Sequence, residues 1–289
     1  MLDGIWEELI KKIHELLEGF VLANMEFMYE DVNTRVGTIA TEVSKTPQAW
    51  NGDIFSLIRR LTDSVMMPIA GAIITYVLCY ELISMVIEKN TLHDLDTWLF
   101  FKYVFKAAIA VYLVSHTMDI TLAFFDVGKH LASSASGIIA SSTDVDVKVL
   151  MEKMKEQMSE MEIGELFALG MESAFVSVLM KIMSVVITVT LYARMIEIYL
   201  YISVAPIPFA TLTNREWGQI GTHYIKGLLA LAFQAFFIMV CVGIYGVLVA
   251  NIQMSENIHS ALFGVTGYAL LLMIAIRKTG AQARSVFAV

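Results

Sequence analysis

Residues 227–250 read GLLALAFQAFFIMVCVGIYGVLVA, an unbroken run without a charged side chain. At 1.5 Å rise per residue a helix of that length reaches about 36 Å, enough to cross a hydrocarbon core about 30 Å thick. A soluble core helix needs no such run, so the bilayer is the solvent against which the rest of the chain is read.

Working outward, four more stretches read as spans. Residues 66–87 carry Glu81 as their only charge. Residues 98–125 place Lys102 and Lys106 near the start and Asp119 near the end. Residues 174–205 are interrupted by Lys181, Arg194 and Glu197 and stop at Pro206 and Pro208. Proline removes a helical donor and clashes with the preceding turn, so it ends the run. Residues 260–276 are short but uncharged. The expectation is an all-α polytopic membrane protein with about five transmembrane helices. Its weak point is APIPFA at 205–210, which reads either as a loop or as a re-entrant or broken stretch.

Composition agrees with this class. The chain is 57% hydrophobic and 17% charged, with mean hydropathy +0.66, whereas soluble domains carry about a quarter charged residues. A net charge of −8 argues against nucleic-acid binding as the main role, since phosphate neutralisation needs clustered Lys and Arg. Both cysteines, Cys79 and Cys241, fall inside apolar runs, so no disulfide framework is expected. Residues 1–18 mix acids and bases with apolar residues and lack the continuous apolar core of a secretory signal.

Five regions follow: an amphipathic N-terminal region at 1–62, two spans at 63–125, an extracytoplasmic connection at 126–173, three spans at 174–276, and a short basic tail at 277–289. The first region reads as too charged to span. Within residues 3–21 the apolar positions Ile5, Trp6, Leu9, Ile10, Ile13, Leu16, Leu17, Phe20 and Val21 recur at three- and four-residue spacing. That is an amphipathic helix, packed on its own protein, laid in the membrane interface, or set against a partner. Pro47 and Asn51-Gly52 mark a break after it. In the long connection, small residues at 132–142 precede a helical stretch at 146–169. There Met151, Met154, Met158 and Met161 form one stripe, read as core packing or as an adaptable partner surface.

Orientation rests on the distribution of Lys and Arg. Arg277, Lys278 and Arg284 follow the last span, and residues 251–259 hold neither cation, which predicts a cytoplasmic C-terminus in the cell membrane. Lys89, Arg215 and Lys226 then fall in inner loops, while Arg59 and Arg60 argue the other way.

The chemistry-bearing patterns are few. There is no GxxxxGK[ST] loop, no HExxH, no paired cysteines and no GxSxG elbow, so no cofactor, metal centre or enzymatic role is expected. No two glycines lie four apart, so the GxxxG association motif is missing too. Each charge inside a span costs about 2.5–3.5 kcal/mol at the helix centre and calls for a reason. Lys102 and Lys106 read as interfacial anchors, and Arg194 and Glu197 can pair along one helix face. Glu81, Asp119 and Lys181 have no local partner, so each either pins the helix bundle or lines a polar path. Gln234, alone in its apolar span, can hydrogen-bond a neighbouring helix.

The stretch at 205–248 supplies a resemblance. Pro206 and Pro208 after a span, then Asn214-Arg215-Glu216-Trp217-Gly218, then Gly221, Lys226 and Gln234, resemble the VirB6/TrbL-like conjugal transfer proteins of Gram-positive mobile elements. Those are polytopic inner-membrane subunits of type IV secretion systems. The resemblance implies a homo-oligomeric channel or platform subunit that aids passage of single-stranded DNA with bound protein. It implies contact with a VirB4-like ATPase, a coupling protein and VirB8-like extracytoplasmic components. Arg215, Trp217 and Lys226 are the candidate partner contacts on the cytoplasmic side. Interfacial anchoring is the competing reading of Arg215 and Trp217. The alternatives in function are a small-solute transporter and a non-conducting scaffold for the secretion ATPases.

Overall fold

The computed structural model describes residues 2–88, 97–140, 147–252 and 258–289. The readings placed on Lys89, on the last positions of 132–142, on the start of the helix at 146 and on most of 251–259 lie outside the described residues. The described residues are helical and include no strand. The helices are α1 (Leu2–Val43), α2 (Pro47–Trp50), α3 (Gly52–Leu61), α4 (Met67–Glu88), α5 (Thr97–Ser115), α6 (Thr117–Ala140), α7 (Val147–Ser159), α8 (Ile163–Val204), α9 (Pro206–Thr211), α10 (Gly218–Ile252) and α11 (Ile258–Val286). Four stretches are long and apolar enough to span: Gly52–Ile87, Ile163–Val204, Gly218–Ile252 and Ile258–Val286. Counting the bent pair α5–α6 as one span makes five. Helix suits this setting because every backbone donor is satisfied within the segment when no water is at hand.

Local chemistry explains where the helices stop. Thr46 accepts from the Ala49 amide and Pro47 takes the first helical position of α2. The Asn51 side chain accepts from the amides of Asp53 and Ile54, at 3.1 and 3.0 Å, and opens α3. A π-helical turn at Thr62–Met66 joins α3 to α4, and there the Thr62 hydroxyl reaches the carbonyls of Ile58 and Ser203. The stretch expected as one straight span at 98–125 is instead broken at His116, with α5 and α6 meeting at 66°. The Thr117 hydroxyl bonds back to the carbonyls of Leu113 and Val114 at that bend.

The chain divides into two compact units. The first comprises Met1–Val43, Ala132–Leu191 and Phe237–Thr279. Its α1 is far longer than residues 3–21, and the second half buries one stripe: Val21, Met25, Met28, Val32, Ile39 and Val43. Along α8 this half is fastened by Asn24 Nδ2 donating to Ser173 Oγ at 3.2 Å, and by Arg35 donating to the Met180 carbonyl at 3.2 Å. Helix α7 packs against α1, with Met154 and Met158 buried, so two members of the methionine stripe are core. By contrast Ile5, Trp6, Leu9, Ile13, Leu16 and Phe20 stay exposed, and none of the described residues covers this apolar face of α1.

The second unit comprises Ser44–Leu131, Tyr192–Phe236 and Gly280–Val289. Its core joins Ala70 and Ile74 of α4, Ala110 and Val114 of α5, Ile198 and Ile202 of α8, Phe209 of α9, and Tyr224 and Leu228 of α10. Two close approaches need glycine. A Cβ at Gly128 would lie 2.7 Å from the Ala232 carbonyl oxygen, and one at Gly221 2.6 Å from that of Pro208. The Tyr199 hydroxyl lies 2.7 Å from the Pro47 carbonyl, and Trp50 packs edge-on against Tyr192.

Candidate functional site

The proline-broken stretch is not a solvated loop. Pro206, Pro208, Phe209, Ala210 and Thr211 are all buried, and α9 packs against α4 and α5. The turn that follows is organised by Asn214, which is 5% exposed. Its side-chain oxygen accepts from the amides of Glu216 and Trp217, both at 2.8 Å, in the manner of a helix N-cap ahead of α10. Two candidate contact residues emerge from this turn with different surroundings. Arg215 is exposed. Trp217 is 40% exposed and stacks on Tyr76 of α4, ring centroids 5.4 Å apart. Tyr76 stacks in turn on Tyr80, whose hydroxyl donates to Glu216 at 2.8 Å. The indole is therefore held by this chain while keeping an outward edge. Lys226, half-buried, lines an open groove of ≈ 590 Å³ together with Gln219, Ile220, Thr222 and His223.

Tertiary packing gives partners to most of the charges that fall within the apolar stretches. Glu81 on α4 pairs with Lys106 on α5. Lys106 thus has a carboxylate partner on a neighbouring helix. Arg194 and Glu197 do not pair with each other, although three residues separate them. Glu197 pairs with Arg284 of α11, and Arg194 turns inward to donate to the Leu231 carbonyl of α10 at 3.2 Å. Gln234 is buried on α10, and a Cβ at Gly280 would lie 3.2 Å from its amide nitrogen. Lys181 is exposed with its ammonium 4.9 Å from the Phe27 ring centre, a cation–π contact. Lys102 sits likewise over Trp98 at 5.5 Å. Asp119 is exposed in the first turn of α6, where the helix dipole favours a carboxylate.

Sequence reasoning passed over two polar contacts of the first unit. Arg35 and Asp31 form a largely buried pair on α1, and His259 lies 2.6 Å from the Glu172 carboxylate. The i, i+4 spacing of Asp31 and Arg35 was the available signal for the first; nothing in sequence separation announced the second. Among the described residues, no group of three or more His, Cys, Asp or Glu is arranged to hold a metal ion.

The family model for TrbL/VirB6 plasmid conjugal transfer like protein matches residues 32–206, from the last third of α1 through α8 to the first proline of α9. No curated protein and no solved structure matches the chain. The matched region and the motif-bearing stretch at 205–248 overlap only at Ala205 and Pro206, so the two likenesses draw on different residues. More than half of the chain lies within the family model, and its four to five apolar spans make it a multi-pass helical membrane protein. The chain belongs to the TrbL/VirB6 plasmid conjugal transfer-like family, whose members are components of conjugal transfer machinery.

Proposed function

We propose that the chain is a membrane platform or channel subunit of a conjugative type IV secretion system in the cell membrane, with its C-terminus in the cytoplasm. It aids transfer of single-stranded DNA and bound protein. The observation that supports this most is the family match over residues 32–206, laid on a chain with four to five apolar spans. Separate ATPases supply the energy, and the subunit itself catalyses nothing. Several copies assemble, because five helices alone cannot enclose a path wide enough for a nucleic acid strand.

In this reading Arg215, Trp217 and Lys226 meet a VirB4-like ATPase or the coupling protein. The capped Asn214 turn and the Tyr76 stack support that role, because they hold the indole in place before any partner arrives. The region around α7 meets VirB8-like components on the other side. The test is mating frequency from a donor lacking only this gene, with and without the gene restored in trans. Loss with rescue supports the proposal. Unchanged transfer overturns it and brings small-solute transport forward.

A further inference from the structure

Residues 6–20 of α1 carry a heptad pattern. Trp6, Leu9, Ile13, Leu16 and Phe20 recur in alternating steps of three and four, the a and d positions of a coiled-coil seam. Each is between 39% and 73% exposed, and none of the described residues covers them. The chain's own packing uses a different side of α1, with Val21, Met25 and Met28 buried and His14 meeting the Met161 carbonyl at 3.1 Å.

The seam lies outside the bilayer. Asn24 meets Ser173 and Arg35 meets Met180, so α1 runs alongside α8 in the same direction. Tyr245 of α10, within electrostatic reach of Arg35 and Asp31, stands five residues before the end of the uncharged run at Ala250. His259, which opens the next helix, meets Glu172, so the low-numbered ends of α8 and α1 lie at that end of the run. Five residues back from Arg35, the run ends level with Glu30. Phe20 is then about 15 Å beyond it and Trp6 about 36 Å. Because α1 follows α8 instead of crossing it, this segment does not lie in the headgroup plane, and lipid chains do not reach its apolar face. In water, a row of large apolar side chains gains by being covered.

We propose that this seam docks on the same seam of a second copy of the chain, as a parallel coiled coil standing clear of the membrane. Leu9 and Leu16 at d with Ile13 at a suit a parallel pair. The choice of a second copy over a different chain rests on the flanks. A coil selects a different partner through opposite charges at e and g. From 5 to 19 those positions are Ile5, Ile10, Lys12, Leu17 and Gly19, and Lys12 is engaged along its own helix by Glu8 at 3.3 Å. Two copies inserted alike in one bilayer present their seams parallel and at one height, so each residue meets itself across a two-fold axis. By exposed fraction, the five seam side chains with Ile5 and Ile10 offer on the order of 700 Å² per copy, near the about 800 Å² a side of a stable interface. Confinement in the membrane raises the local concentration and favours the contact further. The inference rests on the reading that several copies assemble, though not on what they transfer.

The test uses the full-length chain with Cys79 and Cys241 replaced by alanine, expressed in membranes without other transfer genes. Single cysteines are placed on the seam by Ile13→Cys and Leu16→Cys, and away from it by Lys11→Cys and Glu15→Cys. Oxidation with copper phenanthroline should link two copies through residue 13 or 16 at least about fivefold more than through 11 or 15, since a disulfide needs close Cβ atoms. Leu9→Glu added to Ile13→Cys should abolish the link while the melting temperature in detergent stays unchanged, because Leu9 is exposed within one copy. Equal linking at all four positions would reduce the contact to collision and overturn the proposal, as would a link at 13 that survives Leu9→Glu. No link at 13 and 16, followed by capture of a different protein there once the neighbouring transfer genes are restored, would give the seam to another chain. Copies linked through the seam, with mating unchanged on loss of the gene, would sink the conjugation reading and leave the coil standing.

Discussion

Lys106 of α5 donates to the Glu81 carboxylate of α4, two residues 25 apart in the chain joined across neighbouring helices. One turn earlier on each helix, the Tyr103 hydroxyl donates to the Leu78 carbonyl at 3.2 Å. The two bonds tie α4 to α5 at neighbouring turns.

That tie is testable by a double-mutant cycle. Glu81→Gln and Lys106→Met should each lower thermal stability in detergent. The combined change should cost less than the sum of the two, by about 1 kcal/mol, because the pair is partly open to its surroundings. Strict additivity would show that the two charges do not interact.

Glu197 and Arg284 offer a cleaner specificity test. Glu197→Arg places like charges together and should lower the melting temperature, and adding Arg284→Glu should recover most of the loss. No recovery would mean that α8 and α11 are held in register by packing alone.

Arg194 is 7% exposed and its only described hydrogen bond is to a backbone carbonyl. A buried charge without a carboxylate is replaced by an apolar residue of similar length at little cost. Arg194→Met should therefore leave thermal stability unchanged or raise it by about 1 kcal/mol. A large loss of stability would show that the guanidinium holds the bundle together. Preserved stability with abolished transfer would give Arg194 a role in transport.

Gly128 and Gly71 form a matched pair for packing. Gly128→Ala pushes a methyl into the Ala232 backbone and should destabilise by about 1–3 kcal/mol, whereas Gly71 has open space around it. Gly71→Ala should be neutral or gain up to about 1 kcal/mol from helix propensity. Equal effects on the melting temperature would contradict the close α6–α10 approach.

At the proposed contact face, Arg215→Ala with Trp217→Ala should impair mating while leaving membrane insertion intact. Asn214→Ala should act on the same face indirectly. It removes the acceptor for two amides, costs about 1–2 kcal/mol, and frees the indole from its stack on Tyr76. The readout is tryptophan fluorescence in a chain whose other three tryptophans are replaced, alongside mating frequency. Normal transfer in the double variant would remove the contact role.

Much of the fold was open to reading from the sequence because hydropathy is a sum over neighbours in the chain. The run at 227–250, the long apolar helix ending at Pro206 and the break at Pro47 each follow from local composition or from proline chemistry. The amphipathic start of α1 was legible for the same reason, as a period of three and four. The partners of the charges were not. Whether Glu197 meets Arg194 or Arg284 depends on which side of α8 faces α11, a rotation that no local pattern encodes. The burial of Phe209 likewise depends on the neighbouring helices of its core, and no local pattern announced the bend at His116.

What the sequence by itself determined is therefore the solvent and the helices: uncharged runs of bilayer length admit no other backbone that satisfies its own donors. Only the tertiary structure decided which charges neutralise one another and that Val21–Val43 packs along α8 despite its acids. The physical reason is that burial of a charged helix depends on its two faces separately, and on the Asp31–Arg35 pair within it, whereas a sequence average merges them.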